Sequence, residues 1–218
     1  TGRDVYALAQ LVGPSGSVVG VDMTPEQLAV AREHLAFHAE QFGYANVSFL
    51  EGTIEALEAL PLEPGSFDVV VSNCVLNLVP NKENVMKEMF RVLKPGGHFS
   101  VSDIVLEGEL PEALRQDAEM YAGCVAGAIQ KTDYLGFIAK AGFENITIQK
   151  SKPIVIPDDL LEKYLSTEEI ASFKSGTTGI FSITVFGEKL GEKVEKPKLK
   201  MADLQTAGTC CTPDSGCC

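Results

Sequence analysis

The chain has 218 residues, enough for one domain with an appendage, and 45% of them are hydrophobic, enough for a core. Its formal net charge of −12 argues against a nucleic-acid partner, because binding to phosphates depends on basic side chains. We expect neither a membrane span nor a signal peptide, since no apolar run reaches roughly 18 residues and the first residues lack a basic region followed by an apolar one.

Short β-rich runs and helical patterns alternate through the first half of the sequence. Helices are predicted over residues 5–11, 25–42 and 81–93. Strands are predicted over residues 17–22, 46–50, 67–73 and 98–105. The run over 67–73, FDVVVSN, is apolar enough to predict a buried strand of a parallel sheet. Thr24, Pro25 and Gln27 have the spacing of a capping box, so they predict where the second helix begins.

The second half predicts further helices and two late strands. The helices cover residues 111–130 and 133–143, the latter capped by Thr132, and the strands cover residues 146–151 and 179–189. The segment between these strands, residues 152–179, is predicted to be a partly helical insertion. Because it shows no crossover helix, we expect the two late strands to pair antiparallel. The alternation of strands and helices predicts an α/β fold with right-handed βαβ units.

Three parts follow from this pattern. We predict a core over residues 1–150, an inserted segment with the last strand over residues 151–187, and a charged linker with a cysteine-rich tail over residues 188–218. Six cysteines are present: Cys74, Cys124, Cys210, Cys211, Cys217 and Cys218. Their spacing does not suit a disulfide framework of a small secreted domain. We therefore expect reduced thiols and a cytoplasmic, monomeric protein.

Four features lie where a doubly wound sheet binds its ligand, at the carboxyl ends of strands. Gly2 precedes the first helix, and Asp22 ends a strand twenty positions later, where a carboxylate can bind ribose hydroxyls. Gly52 to Glu55 follow the next strand, and Asn73 with Cys74 ends the third. Each has a plain alternative, since Asp22 can simply begin a turn and Glu55 can be a solvated carboxylate at a helix N-terminus.

In this order the segments TGRD, VDM, EGTIEAL, FDVVVSN and RVLKPGG resemble class I S-adenosylmethionine-dependent methyltransferases over residues 1–187. The resemblance implies a Rossmann-like mixed sheet whose last strand is antiparallel, with S-adenosylmethionine as cofactor. Asp22 would bind the ribose, and Ile54 and Glu55 would enclose the adenine. The predicted cofactor-binding residues are Gly2, Asp4, Asp22, Met23, Gln27, Thr53, Ile54, Glu55 and Asn73.

The sequence departs from this family at its start. The family has a first strand and further glycines before TGRD, and that strand is central in its sheet. Without the strand, its two neighbours would keep unpaired backbone groups. We therefore predict that this chain, which does not start with Met, is an N-terminally truncated fragment that is poorly stable or inactive alone.

Cys74 and Cys124 allow two interpretations from their own surroundings. They can be small buried residues, or soft ligands that converge on one thiophilic centre. The segments SNCVLNL and YAGCVAGA resemble arsenite methyltransferases, which implies that both cysteines are catalytic and hold trivalent arsenic. The tail cysteines, two adjacent pairs within residues 210–218, are either additional arsenic ligands or exposed thiols of a flexible terminus. The family's further N-terminal cysteines are absent here.

The resemblance thus implies methyl transfer from S-adenosylmethionine to thiolate-bound trivalent arsenic, an arsenic detoxification reaction. Arsenite or its thiol conjugates would be the substrate, and thioredoxin or glutathione the reductant. Two alternatives are a methyltransferase for another small organic acceptor and a non-catalytic, thiol-rich metalloid-binding protein.

Two weaker candidates complete the sequence analysis. His34 and His38 have the i, i+4 spacing with which one helix face can bind a metal, but they adjoin an apolar stripe and have no third ligand in sequence. Asp103 and Asp4 follow a strand and a loop, where each can line a pocket or accept hydrogen bonds from the backbone.

Overall fold

The computed structural model describes residues 2–108, 127–156, 158–163, 165–175 and 179–191. Most of the helix predicted over residues 111–130 lies outside these ranges, as do Cys124 and the four tail cysteines. The end of that predicted helix, residues 127–130, is described and is not helical.

Helices and strands alternate in the described parts of the chain. The helices are α1 (Arg3–Val12), α2 (Pro25–Glu33), α3 (Leu35–Phe42), α4 (Lys82–Val92), α5 (Lys131–Lys140), α6 (Asp158–Leu161) and α7 (Thr167–Ser175). The strands are β1 (Val18–Asp22), β2 (Val47–Glu51), β3 (Phe67–Asn73), β4 (Leu93–Glu107), β5 (Glu144–Ile154) and β6 (Gly179–Glu188). This order confirms the predicted α/β class.

Helix boundaries differ from the prediction where local geometry intervenes. The single helix predicted over residues 25–42 breaks at His34, whose ψ of 0° leaves α2 and α3 as separate helices. Thr24 is the N-cap of α2, but its side chain makes no capping hydrogen bond, so the predicted capping box is wrong. Its backbone N–H donates instead to Asp22 Oδ1 at 2.9 Å. Similarly, α5 begins at Lys131, which places the predicted cap, Thr132, inside the helix.

The strands form two sheets. One contains β1 and β2 in parallel, and the other has the order β3-β4-β6-β5. In the second sheet β3 and β4 are parallel, while β6 is antiparallel to both β4 and β5, which confirms the antiparallel pairing predicted for the late strands. The β4 strand begins at Leu93, directly after α4, rather than at residue 98. The β5 strand continues to Ile154, across the predicted part boundary at residue 150.

A cavity of about 1030 Å³ lies between β1 and β3 and is lined by residues of both strands. Within the described residues, neither strand has a second neighbour on that side. Val69 and Val71 of β3 are 42% and 38% exposed, so the prediction of a fully buried third strand is wrong. The open edges are those that the methyltransferase resemblance places beside a central strand.

The main core packs α4 and α5 against the four-stranded sheet. Met86 of α4, Phe99 and Val101 of β4, Ile138 of α5 and Val185 of β6 are almost completely buried in it. This core fixes the carboxyl ends of β3 and β4 relative to α4. No helix within the described ranges combines the length and apolarity needed to cross a membrane.

Candidate cofactor and thiol site

A hydrogen bond joins the carboxyl end of β3 to the first turn of α1. Asn73 Nδ2 donates to Asp4 Oδ2 at 2.7 Å, although the two residues are far apart in the sequence. This hydrogen bond is the main reason that the pKa of Asp4 lies below its ordinary value, and the Arg3 guanidinium, at 3.2 Å from Oδ1, lowers it further. Asp4 is therefore a carboxylate at neutral pH, held against the strand end that precedes Cys74.

Gly2 forms the start of α1 in a conformation that favours glycine. Its φ is +74°, and a Cβ at this position would lie 2.9 Å from the Phe49 ring and 3.1 Å from the Ala31 Cβ. No side chain caps the N-terminus of α1, so the N–H groups of its first turn are left for a solvent or ligand acceptor. The backbone at Gly2 can thus approach a ligand closely.

Asp22 ends β1, and its position is compatible with both predicted roles, the start of a turn and a contact to the ligand. Its Oδ1 accepts the Thr24 N–H, as expected of a turn-forming aspartate, and the residue also lines the cavity. Among the predicted cofactor-binding residues, those that line the cavity are Gly2, Asp4, Asp22, Gln27, Ile54 and Asn73.

Met23, Thr53 and Glu55 are not among the lining residues. Met23 is 69% exposed. Glu55 Oε1 accepts the backbone N–H of Asn81 at 2.7 Å, and the side-chain amide of Asn84 donates to the Glu55 carbonyl oxygen. The Glu55 loop is therefore tied to the N-terminus of α4. Ile54 beside it packs against the main core.

Cys74 follows β3 with a backbone conformation that is uncommon for a residue with a side chain. Its φ is +55°, and its N–H donates to the Ser102 carbonyl oxygen at 2.8 Å. The residue is exposed, so the interpretation of Cys74 as a small buried residue is wrong. Its neighbours Asn73 and Val75 both line the cavity. Left-handed backbone at such a position is typical of functional sites, where the surrounding structure holds the strain.

Asp103 lies beneath this strand end and is only 1% exposed. Tyr134 Oη donates to its Oδ2 at 2.9 Å, and the backbone N–H of Asn77 also favours the ionised carboxylate. Burial raises the Asp103 pKa to about 6, against the opposing effect of these donors and of the Lys82 ammonium. Burial likewise raises the pKa of Tyr134 well above its ordinary value and lowers that of Lys82.

Asn77, Lys82 and Tyr134 were not identified from the sequence. Each lies in or beside a segment whose apolar residues predict packing into the core. The only sequence signal for a polar role is that a polar side chain interrupts those apolar residues. Asp103, for which the sequence left two possibilities, accepts hydrogen bonds and does not line the cavity.

The two histidines of the i, i+4 pair keep a helical backbone hydrogen bond, from the His38 N–H to the His34 carbonyl oxygen at 3.1 Å. His34 lies in the break between α2 and α3, and the His38 ring stacks on Tyr6 with 3.9 Å between centroids. In the ranges that the structure describes, no three His, Cys, Asp or Glu side chains come together as metal ligands.

The profile of a family described as a methyltransferase domain matches residues 1–142 of this chain, which is more than half of it. The chain belongs to this methyltransferase family. Its fold is the class I methyltransferase fold, with the mixed sheet and antiparallel last strand that the resemblance implied.

The individual proteins to which this chain is similar match different fractions of it. An arsenite methyltransferase of Aquipseudomonas alcaligenes is 49% identical over 183 residues, which is 84% of this chain and 52% of that protein. A solved arsenic(III) S-adenosylmethionine methyltransferase from Chlamydomonas reinhardtii has a TM-score of 0.74 at 38% identity, covering 89% of this chain and 62% of that one. A demethylmenaquinone methyltransferase of Lactococcus lactis is 43% identical over 97 residues, 44% of this chain and 36% of that protein. The chain thus spans about half the length, or less, of these curated relatives.

Proposed function

We propose that this chain is the methyl-transferring part of an arsenite methyltransferase, acting on trivalent arsenic bound by thiolates. The observation that carries the proposal is the exposed Cys74 between two residues that line the cavity, Asn73 and Val75, in a chain that is similar to arsenite methyltransferases. Thiolates are soft ligands and prefer a thiophilic centre such as arsenic(III).

The residues around the cavity suit S-adenosylmethionine, which when bound supplies a methyl group on a positively charged sulfur. Asp22 would hold the ribose, and Gly2 allows close approach of the amino-acid end of the cofactor. Ile54 would contact the adenine, with Met23 and Thr53 nearby in sequence. Asn73 and Asp4 would hold the methyl-donor end close to Cys74, because their hydrogen bond fixes the strand end.

For this reaction the protein mainly has to position the arsenic and the methyl group. Arsenic(III) keeps a lone pair when thiolates bind it, and that pair carries no proton. A general base is therefore not required, and alignment of the arsenic with the methyl group provides the main acceleration.

Cys124 is proposed as the second arsenic ligand, although it lies outside the described residues. The support for this assignment is that its segment, YAGCVAGA, resembles arsenite methyltransferases. The tail cysteines Cys210, Cys211, Cys217 and Cys218 are proposed to deliver arsenic to Cys74 and Cys124.

The test is transfer of a labelled methyl group to arsenite by the full-length protein and by Cys74→Ser and Cys124→Ser variants. We expect each variant to lose methylation by at least about a hundredfold, since it loses a substrate ligand, while calorimetry shows unchanged S-adenosylmethionine binding. A Cys74→Ser, Ser48→Cys double variant is the matched control, because it restores the number of thiols at an exposed position of β2. Activity in both single variants, or its return in the double variant, would contradict the assigned role.

A second candidate is methylation of a small organic acceptor such as a quinone precursor, favoured by the similarity to the Lactococcus lactis enzyme. That similarity covers about half as much of the chain as the first. The two functions differ in their need for thiols, so alkylation of the cysteines should leave methylation of an organic acceptor intact and abolish methylation of arsenite.

Further properties follow if the proposal is right. Attack of the arsenic lone pair on the methyl group would form an As–C bond, break the S–CH3 bond to leave S-adenosylhomocysteine, and take arsenic from As(III) to As(V). Two thiolates would then reduce As(V) back to As(III) and form a disulfide, which a thiol reductant such as thioredoxin or glutathione would reduce to restore the site. The reduced cysteines would then require a reducing compartment such as the cytoplasm, and the substrate would be arsenite or its thiol conjugate. We also propose that the protein acts as a monomer.

A further inference from the structure

A group of polar side chains lies inside the core directly behind the Cys74 segment. Asp103 of β4 is 1% exposed, Asn77 is 3% exposed and Lys82 of α4 is 8% exposed. Tyr134 of α5 completes the group through its hydrogen bond to Asp103. Buried polar groups are costly unless their hydrogen bonds are made, so apolar packing alone does not account for such a group inside the core.

The contacts of this group converge on the backbone of residues 74–79. The Asn77 side-chain amide donates to the Ile104 carbonyl oxygen at 2.7 Å. Lys82 Nζ donates to the Val79 carbonyl oxygen at 3.0 Å and to the Asn77 carbonyl oxygen at 3.4 Å. At its start the segment is held by the Cys74 N–H, 2.8 Å from the Ser102 carbonyl oxygen. The segment is thus attached to the β4 backbone at Ser102 and Ile104, on either side of Asp103, and to the Lys82 ammonium.

Two acceptor atoms in the group have no partner among the described residues. They are Asp103 Oδ1 and Asn77 Oδ1, both buried. An ionised Asp103 accepts the Tyr134 hydrogen bond at Oδ2 and attracts the Lys82 ammonium, which donates to the segment. Protonation at the unpartnered Oδ1 removes that attraction and adds a buried donor beside the segment.

We propose that Asp103 is a positioning residue that acts through Lys82 to hold the segment carrying Cys74, so that its ionised form keeps the thiol in place for arsenic. The inference rests on the proposed function, since it concerns the same thiol. The charged or titratable groups facing Asp103 in the described structure are Tyr134 from α5 and Lys82 from α4, and Glu55 acts on Lys82 in turn. Because burial raises the Asp103 pKa to about 6, the thiol is expected to lose its position as the pH falls through that value.

The experiment compares the full-length protein with Asp103→Asn, and with Asp133→Asn as the matched control. Asp133 is exposed on α5, beside Tyr134 in sequence, and its substitution removes the same charge. The first measurement is the rate of Cys74 alkylation by iodoacetamide as a function of pH, followed on the Cys74 peptide by mass spectrometry. The second is the KM for arsenite, the kcat of methylation and the dissociation constant of S-adenosylmethionine.

In the wild type and Asp133→Asn we expect an inflection of the alkylation rate near pH 6, in addition to ionisation of the thiol itself. In Asp103→Asn the inflection disappears, and the KM for arsenite rises about tenfold at neutral pH, the size expected for loss of a hydrogen bond to a charged group. The affinity for S-adenosylmethionine stays unchanged, which a general loss of structure would not allow.

Tyr134→Phe provides a second, independent test that keeps the core ring. It removes a donor that lowers the Asp103 pKa, so the inflection should move to higher pH. An unchanged inflection in both Asp103→Asn and Tyr134→Phe overturns the role of Asp103. If the wild type neither binds nor methylates arsenite, the proposed function fails instead, while the alkylation profile still decides the role of Asp103.

Discussion

At the scale of single residues, Asp103 shows how burial converts a side chain into a pH-sensitive group. Its pKa is raised from 3.8 to about 6, chiefly because burial disfavours the charged form. Below about pH 4 the folded and unfolded chains both hold this proton. Between about pH 4 and pH 6 only the folded chain holds it, so the unfolding free energy falls as the pH rises.

The Asp103→Asn variant tests this dependence in equilibrium unfolding. A pKa raised from 3.8 to about 6 corresponds to roughly 3 kcal/mol of unfolding free energy that the wild type loses across this range. We therefore expect the variant to gain up to roughly 3 kcal/mol relative to wild type between about pH 4 and pH 7.5, measured by urea unfolding. Asp133→Asn should follow the wild type at every pH. A difference in unfolding free energy between Asp103→Asn and wild type that does not change with pH would contradict the raised pKa of Asp103.

At the scale of elements, α4 connects the Glu55 loop to the core. Asn81 is its N-cap, and the side-chain oxygen of Asn81 accepts the Asn84 N–H at 3.1 Å. The Asn81 N–H donates to Glu55, so one residue caps the helix and anchors the loop that carries Ile54. The apolar face of the helix, with Val85 and Met89, packs into the core.

Asn81→Ala should reduce the unfolding free energy by about 1 kcal/mol, because the first turn of α4 loses its side-chain acceptor. The backbone N–H to Glu55 remains in this variant, so the effect reports on the cap alone. Asn81→Ser keeps a hydroxyl oxygen at the same position and is expected to stay within a few tenths of a kcal/mol of wild type. Denaturant unfolding of the three proteins measures the difference, and equal losses in Ala and Ser variants would argue against the capping role.

A comparison of predicted and observed element boundaries shows what the sequence pattern can predict. The helix predicted over residues 81–93 is observed as Lys82–Val92, and the strand over residues 67–73 is observed with the same bounds. Apolar spacing is a local signal, and for these two elements it sufficed to predict both their existence and their approximate ends. The burial of β3 was predicted wrongly because burial depends on the neighbouring strand, which lies far away in the sequence.

At the scale of the whole molecule, β1 and β3 border a cavity with edges that are unpaired within the described residues. Val69 and Val71 line that cavity and are partly exposed there. Strands with one unpaired edge are less protected from local opening than strands with two neighbours. The prediction that the 218-residue chain is poorly stable or inactive alone remains a prediction, and the open edges are its physical reason.

Hydrogen exchange of the 218-residue chain can test this reason directly. We expect amides of β1 and β3 to exchange faster than those of β6, which pairs with both β4 and β5. The β6 strand is the internal control because it belongs to the same chain. Uniform protection across β1, β3 and β6, or cofactor binding by the isolated chain at native-like affinity in calorimetry, would contradict the predicted weakness.

The sequence by itself determined the α/β class, the strand ends that carry Asp22, Asn73 and Cys74, and the methyltransferase resemblance. These depend on short stretches whose periodicity and order are visible in one dimension. Only the tertiary structure decided that Asn73 hydrogen-bonds to Asp4 and that Asp103 lies buried behind the Cys74 segment. Such contacts join residues dozens of positions apart, and their distances and burial are set by the packing of strands and helices, which no local pattern specifies.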